Sequence, residues 1–94
     1  MLRYRVTATA TLPGAAAVGV EQRIVSMVED RLPDSDPAVT VDLTDQVVLG
    51  FTLRAASAFE ARADGRALAH DVLSGAAPIH LEAVEQALTA PLIV

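Results

Sequence analysis

The chain has 94 residues, a length that suits one hydrophobic core, and this predicts a single domain over residues 1–94. Hydrophobic residues make up 52% of the chain and aromatic residues only 3%, so the core has to be built from Ala, Val, Leu and Ile. Such small side chains bury little area each, which favours additional burial by self-association. The net charge of −5 argues against a nucleic-acid partner, because a phosphate backbone requires clustered Lys and Arg.

Several residue types are missing from the chain. It contains no Cys, which excludes disulfides, thiolate chemistry and Cys-ligated metals. All seven basic residues are Arg, and the absence of Lys and Asn beside abundant Ala is typical of a high-GC bacterial genome. No secretory signal and no run of roughly 20 apolar residues is present, so we expect a cytoplasmic protein without a membrane partner.

Residues 2–12 alternate between two kinds of side chain. One set is apolar: Leu2, Tyr4, Val6, Ala8, Ala10 and Leu12. The other set is polar or charged: Arg3, Arg5, Thr7, Thr9 and Thr11. This alternation predicts a β-strand with one buried and one wetter face.

A change to helical spacing follows the Pro13-Gly14 turn. Val20, Ile24 and Val28 lie on one face of a helix predicted over residues 15–32, which Gly19 weakens. The turn formers of residues 33–37 end this helix.

Two strands are predicted next, over residues 38–44 and 47–55. Both alternate apolar and polar residues, and Asp45-Gln46 is the expected hairpin link. Gly50 interrupts the second strand, which indicates a bulge or the close approach of another backbone.

A second helix begins at a capping box. Ser57 is placed to accept from the backbone N–H of residue 60, and Glu60 to accept in return from the N–H of residue 57. The helix is predicted to run to about residue 74, where Gly75 ends it.

The last segment allows two interpretations. Residues 78–90 could form a third helix, or a strand could begin at Ile79 with Ile79, Leu81 and Ala83 inward. We favour the strand, because it completes a known topology. The apolar residues 91–94 could form a tail that docks on a neighbour.

The resulting order, βαββαβ, resembles the ferredoxin-like plait. This resemblance implies an α+β fold, in which an antiparallel sheet carries two helices on one face. The fold supports many unrelated functions, so it predicts none of them. It does imply that the second sheet face is left open to water, a ligand or another subunit.

The open face is the strongest candidate for an interaction surface. Its interface candidates are Arg3, Arg5, Thr7, Thr9, Val48, Thr52 and Arg54. Thr and Val form a flat, mildly apolar surface that can pair with its copy about a two-fold axis. RNA-recognition motifs carry aromatic residues on this face for base stacking, and none occurs at these positions.

Evidence for a catalytic or metal site is weak. His70, His80 and Tyr4 are the candidate ligand-contacting residues. His70 and Asp71 are adjacent on a helix and diverge by about 100°, which disfavours a shared metal ion. We therefore predict no catalytic set, no metal and no cofactor.

Three functions are compatible with these observations. The first is a non-enzymatic association module that binds itself or another protein through the open face or an edge strand. The second is a small-ligand protein or a dimeric plait enzyme, similar to monooxygenases and isomerases, with a pocket between sheet and helices. The third is a phage or mobile-element accessory protein.

Overall fold

A computed structural model describes residues 1–76 and 78–86 of the chain. The strands are β1 (Leu2–Thr11), β2 (Ala38–Val41), β3 (Gln46–Ala55) and β4 (His80–Gln86), and the helices are α1 (Val20–Arg31) and α2 (Ala58–Val72). The strands pair antiparallel in the order β2-β3-β1-β4. The predicted α+β class and the ferredoxin-like order of elements are therefore confirmed.

The core lies between the helices and one face of the sheet. Inward positions of β1 and β3 are buried without exception from Tyr4 to Ala10 and from Val47 to Ala55. Gly65 of α2 packs directly on this face, since a Cβ atom built there would lie 2.9 Å from Val6 Cγ1. Helix α2 and the sheet are thus in close contact at Gly65.

Helix α1 is shorter than predicted. It begins at Val20 rather than at residue 15, and Gly19 precedes it with a φ of 87°. Residues 15–19 instead form turns, which the Asp45 carboxylate holds by accepting from the N–H groups of Gly14 (3.1 Å) and Ala16 (2.8 Å). Gly19 therefore lies at the N-cap, where its left-handed backbone starts the helix instead of weakening it.

Strand β2 also ends early, at Val41 instead of residue 44. Asp42 ends it, because its carboxylate accepts from the N–H of Thr44 (2.8 Å), the Thr44 hydroxyl (2.6 Å) and the N–H of Gln46 (3.1 Å). Asp45 adopts a φ of 61°, which supplies the left-handed residue that glycine usually provides. The predicted Asp45-Gln46 link was wrong, since Gln46 already belongs to β3.

The capping box at α2 is half confirmed. The N–H of Glu60 donates to Ser57 Oγ at 3.2 Å, as predicted. The Glu60 carboxylate, however, accepts from the N–H of Ala56 at 3.3 Å and not from that of Ser57. The helix ends at Val72, two residues before the predicted end.

The strand interpretation of the last segment is confirmed for residues 80–86. Strand β4 pairs with β1, and Ile79 is buried while Leu81 and Ala83 are half-buried on the inward side. The predicted docking tail at residues 91–94 lies outside the described residues.

Candidate functional site

The open sheet face carries a block of small, uncharged side chains, which we name the threonine patch. Its members are Thr7, Thr9, Ala38, Thr40 and Val48. The strand register sets Thr9 opposite Val48, and Val48 in turn opposite Thr40. Because no member is larger than Val, this part of the face is flat.

Arg5 crosses β3 on the open face and binds the segment that precedes β2. Its Nη1 donates to the backbone oxygen of Asp36 at 2.8 Å, to that of Ser35 at 3.4 Å and to Thr52 Oγ1 at 3.1 Å. Gly50 makes room for it, since a Cβ atom there would lie 3.0 Å from Arg5 Nη2. The close approach predicted at Gly50 is therefore that of a side chain and not of another backbone.

This arrangement buries two polar residues beside the open face. Thr52 is 9% exposed, and its N–H donates to the backbone oxygen of Ser35 at 2.7 Å. Ser35 is 2% exposed, and its hydroxyl has no hydrogen-bond partner within residues 1–76 and 78–86. Of the interface candidates, Arg5 and Thr52 thus already serve contacts within the chain.

Arg3 and Arg54 form the end of the open face. They are paired directly across β1 and β3, and both are exposed. Like charges in directly opposite positions repel. Neither guanidinium makes a hydrogen bond or an ion pair with the part of the chain that the structure describes.

A groove of about 790 Å³ runs beside the outer edge of β3, and we name it the β3-edge groove. It exists because β2 pairs with β3 only as far as Gly50, while β3 continues to Ala55. Arg3 and Arg54 line one side of it, and residues 31–34 together with α2 line the other. The short β2 follows from Pro33 and Pro37, which could have indicated from sequence that the end of β3 lacks an outer neighbour.

The weaker ligand candidates lie apart from one another. Tyr4 is 3% exposed within the core and does not line the β3-edge groove. His70 is exposed on α2, while His80 is exposed on the open face, so the sheet lies between them. Among the residues in the described ranges, no group of three or more His, Asp or Glu is placed to hold a metal ion.

The charges of α2 are partly used within the chain. Asp71 accepts from Arg31 of α1 at 2.7 Å, a surface ion pair with both side chains about half exposed. Such exposed pairs contribute little to stability, and this one mainly joins the ends of the two helices.

Within residues 1–76 and 78–86, no helix is long and apolar enough to cross a membrane.

Comparisons of this chain with protein-family models, with curated proteins and with solved structures find no match. The geometry of the open face and of the β3-edge groove is therefore the basis on which a function can be inferred.

Proposed function

We propose that this protein is a non-enzymatic association module whose partner is a second copy of the same chain. The observation that carries the proposal is the threonine patch, a flat surface of small side chains that neither α1 nor α2 covers. Flat faces rich in Thr and Val pack well against a like surface. The core poor in aromatic residues supports the same conclusion, since it leaves burial to be gained on association.

The size of the open face limits the area that a dimer can bury. Strands about 4.8 Å apart, with one outward residue in every two along each strand, give this face a footprint of about 500 Å². A face-to-face pair would bury about 1,000 Å² in total, near the lower limit for specific interfaces. We therefore expect a reversible dimer that forms at micromolar concentrations.

Charge restricts how the two copies meet. Three of the seven arginines and only one acidic side chain, Glu82, project from the strands of the open face. If the two-fold axis runs across the strands, the Arg3–Arg54 end of one copy lies over the Thr9–His80 end of the other. Like charges are then kept apart, because the arginine end of each copy faces the uncharged Thr9 end of its partner.

Sedimentation equilibrium across a concentration series tests this proposal. The apparent mass of the wild type is expected to rise with concentration from the chain mass of 9.8 kDa towards twice that value. Thr9→Arg puts a positive charge in the threonine patch, at the end that faces the arginine end of the partner, and is expected to yield a monomer with an unchanged circular dichroism spectrum.

Ala63→Arg is the matched control, because Ala63 is exposed on α2 and lies away from the sheet. A dimer is expected to persist in that variant. A wild type that stays at 9.8 kDa at all concentrations would exclude self-association, and a Thr9→Arg dimer would exclude this face.

A further inference from the structure

The β3-edge groove is lined by charged side chains, which the threonine patch lacks. Arg5 and Arg31 also lie on this side of the molecule, and each is bound by the chain itself, Arg5 by carbonyl oxygens and Arg31 by Asp71. Arg3 and Arg54 line the groove and have no such partner among residues 1–76 and 78–86. The chain thus holds two unneutralised guanidinium groups in register at the wall of a groove.

An anion between Arg3 and Arg54 would remove their mutual repulsion. A carboxylate or a phosphate fits best, since both accept paired hydrogen bonds from the planar guanidinium group. Three aspartates, Asp34, Asp64 and Asp71, line the same groove, yet none of them forms an ion pair with Arg3 or Arg54 in the described part of the chain. The pair is placed to receive the anionic group from outside the chain.

The other residues that line the groove indicate the chemistry of the rest of the ligand. Leu32, Pro33 and Leu68 supply apolar surface from the helix side. Asp34 and Asp64 also line the groove, and neither has an ion-pair partner in the described part of the chain. A ligand with an anionic head, an apolar body and a hydrogen-bond donor at its far end matches these walls.

From this geometry we infer that the β3-edge groove is a binding site for a small organic anion, held by Arg3 and Arg54 through a carboxylate or phosphate group. The volume of about 790 Å³ lies within the usual range for small-molecule sites. All lining residues belong to one chain, so the site does not depend on the proposed dimer.

Titration of the full chain with three matched probes, followed by amide chemical shifts, tests the inference. Benzoate and phenyl phosphate carry the two candidate anionic groups, and benzyl alcohol is their neutral counterpart. We expect saturable shifts at residues 52–54 and 64–68 with at least one anion, and none with benzyl alcohol. The anion that binds more tightly identifies the chemical class of the natural ligand.

Arg54→Gln is expected to weaken binding of that anion by about ten-fold or more, since it removes a charged, paired hydrogen-bond donor. It is also expected to keep or raise the melting temperature, because it relieves the repulsion from Arg3, so weaker binding would not reflect unfolding. Arg62→Gln is the matched control, an exposed arginine of α2 that does not line the groove, and its affinity should stay within about two-fold.

Three results would overturn the inference: no saturable shifts with either anion, equal binding of benzyl alcohol, or an equal loss of affinity in Arg62→Gln.

The Thr9→Arg variant separates this inference from the proposed dimer. Binding by that variant should match the wild type, and its loss would show that the groove is not a site of the single chain. A wild type that binds an anion but never dimerises would contradict only the proposed function.

Discussion

Gly65 and Gly50 lie on opposite sides of the sheet, and each makes room for a different kind of neighbour. On the covered side, the bare backbone of Gly65 lets α2 settle on Val6 and Phe51. On the open side, Gly50 lies under the guanidinium group of Arg5. Apolar packing therefore holds α2 on the covered side. On the open side, the guanidinium group of Arg5 forms charged hydrogen bonds, and we name this contact the clamp. This difference predicts that the two sides respond differently to similar substitutions.

The largest expected effect comes from removing the clamp. Arg5→Met keeps the apolar stem of the side chain but removes the guanidinium group, which leaves the Asp36 oxygen without this donor and the Ser35 oxygen with only the Thr52 N–H. Because hydrogen bonds from charged groups contribute about 1.5–3 kcal/mol, we expect the free energy of unfolding to fall by about 2 kcal/mol. Urea denaturation measures this change. Arg23→Met, at an exposed site of α1, should change stability by less than about 0.5 kcal/mol, and similar losses in both variants would contradict the clamp.

The matched glycine substitutions compare the two sides directly. Gly65→Ala places a Cβ 2.9 Å from Val6 Cγ1 in a closely packed layer. Overpacking of about 1–3 kcal/mol, offset by about 1 kcal/mol of helix propensity, predicts a net loss of about 1 kcal/mol.

Gly50→Ala is the counterpart on the open side. Its Cβ would meet only the flexible end of Arg5, at 3.0 Å, so a loss of about 0.5 kcal/mol or less is expected in the same urea experiment. A greater loss for Gly50→Ala than for Gly65→Ala would reverse the comparison.

A smaller gain is expected beside the clamp. The Ser35 hydroxyl is buried without a partner in the described part of the chain, and such a group costs about 1–3 kcal/mol. Ser35→Ala removes it while keeping the backbone oxygen that Thr52 and Arg5 use. We expect the melting temperature to rise and the free energy of unfolding to increase by about 1 kcal/mol. A lower melting temperature would show that the hydroxyl makes a stabilising contact.

The smallest expected effect is a pH dependence at the β2–β3 turn. The Thr44 hydroxyl first, and the N–H groups of Gln46 and Thr44 next, hold the pKa of Asp42 below its ordinary value of 3.8. A carboxyl with a lowered pKa stabilises the fold above its unfolded pKa, and this contribution is lost as the pH falls through the folded pKa.

Urea denaturation at a series of pH values checks this dependence. We expect the free energies of unfolding of the wild type and of Asp42→Asn to differ by a constant amount above about pH 5 and to converge below pH 3.8. Asp30→Asn, at an exposed position of α1, controls for the loss of one charge. A gap that does not close in acid would contradict a role for the ionised carboxylate.

The sequence allowed the fold to be predicted because its alternation is regular. The even-numbered positions of β1 and the odd-numbered positions of β3 identified the buried face correctly, and the helical spacing of Ile24 and Val28 identified α1. Element ends were less predictable, since they depend on distant partners. Asp45 orders the turn at Gly14 and Ala16 from about thirty positions away, and no local pattern contains that information.

The groove was missed for a related reason. The open face was predicted as one surface, yet Arg5 and Arg54, which share a residue type and a face, have different surroundings. Arg5 meets the carbonyl oxygens of residues 35 and 36, whereas Arg54 lies beyond the end of β2. Which of two arginines finds a partner depends on where a neighbouring strand stops, and the prolines at residues 33 and 37 indicate this only in retrospect.

The central position of β1 has a consequence for synthesis on the ribosome. The first strand to emerge has its two partners in β3 and β4, which are made much later. Until residue 55 has left the exit tunnel, β1 does not have the whole of β3 to pair with. Most of the sheet contacts therefore span long stretches of sequence, which favours slow folding that is completed only after β4 has been synthesised.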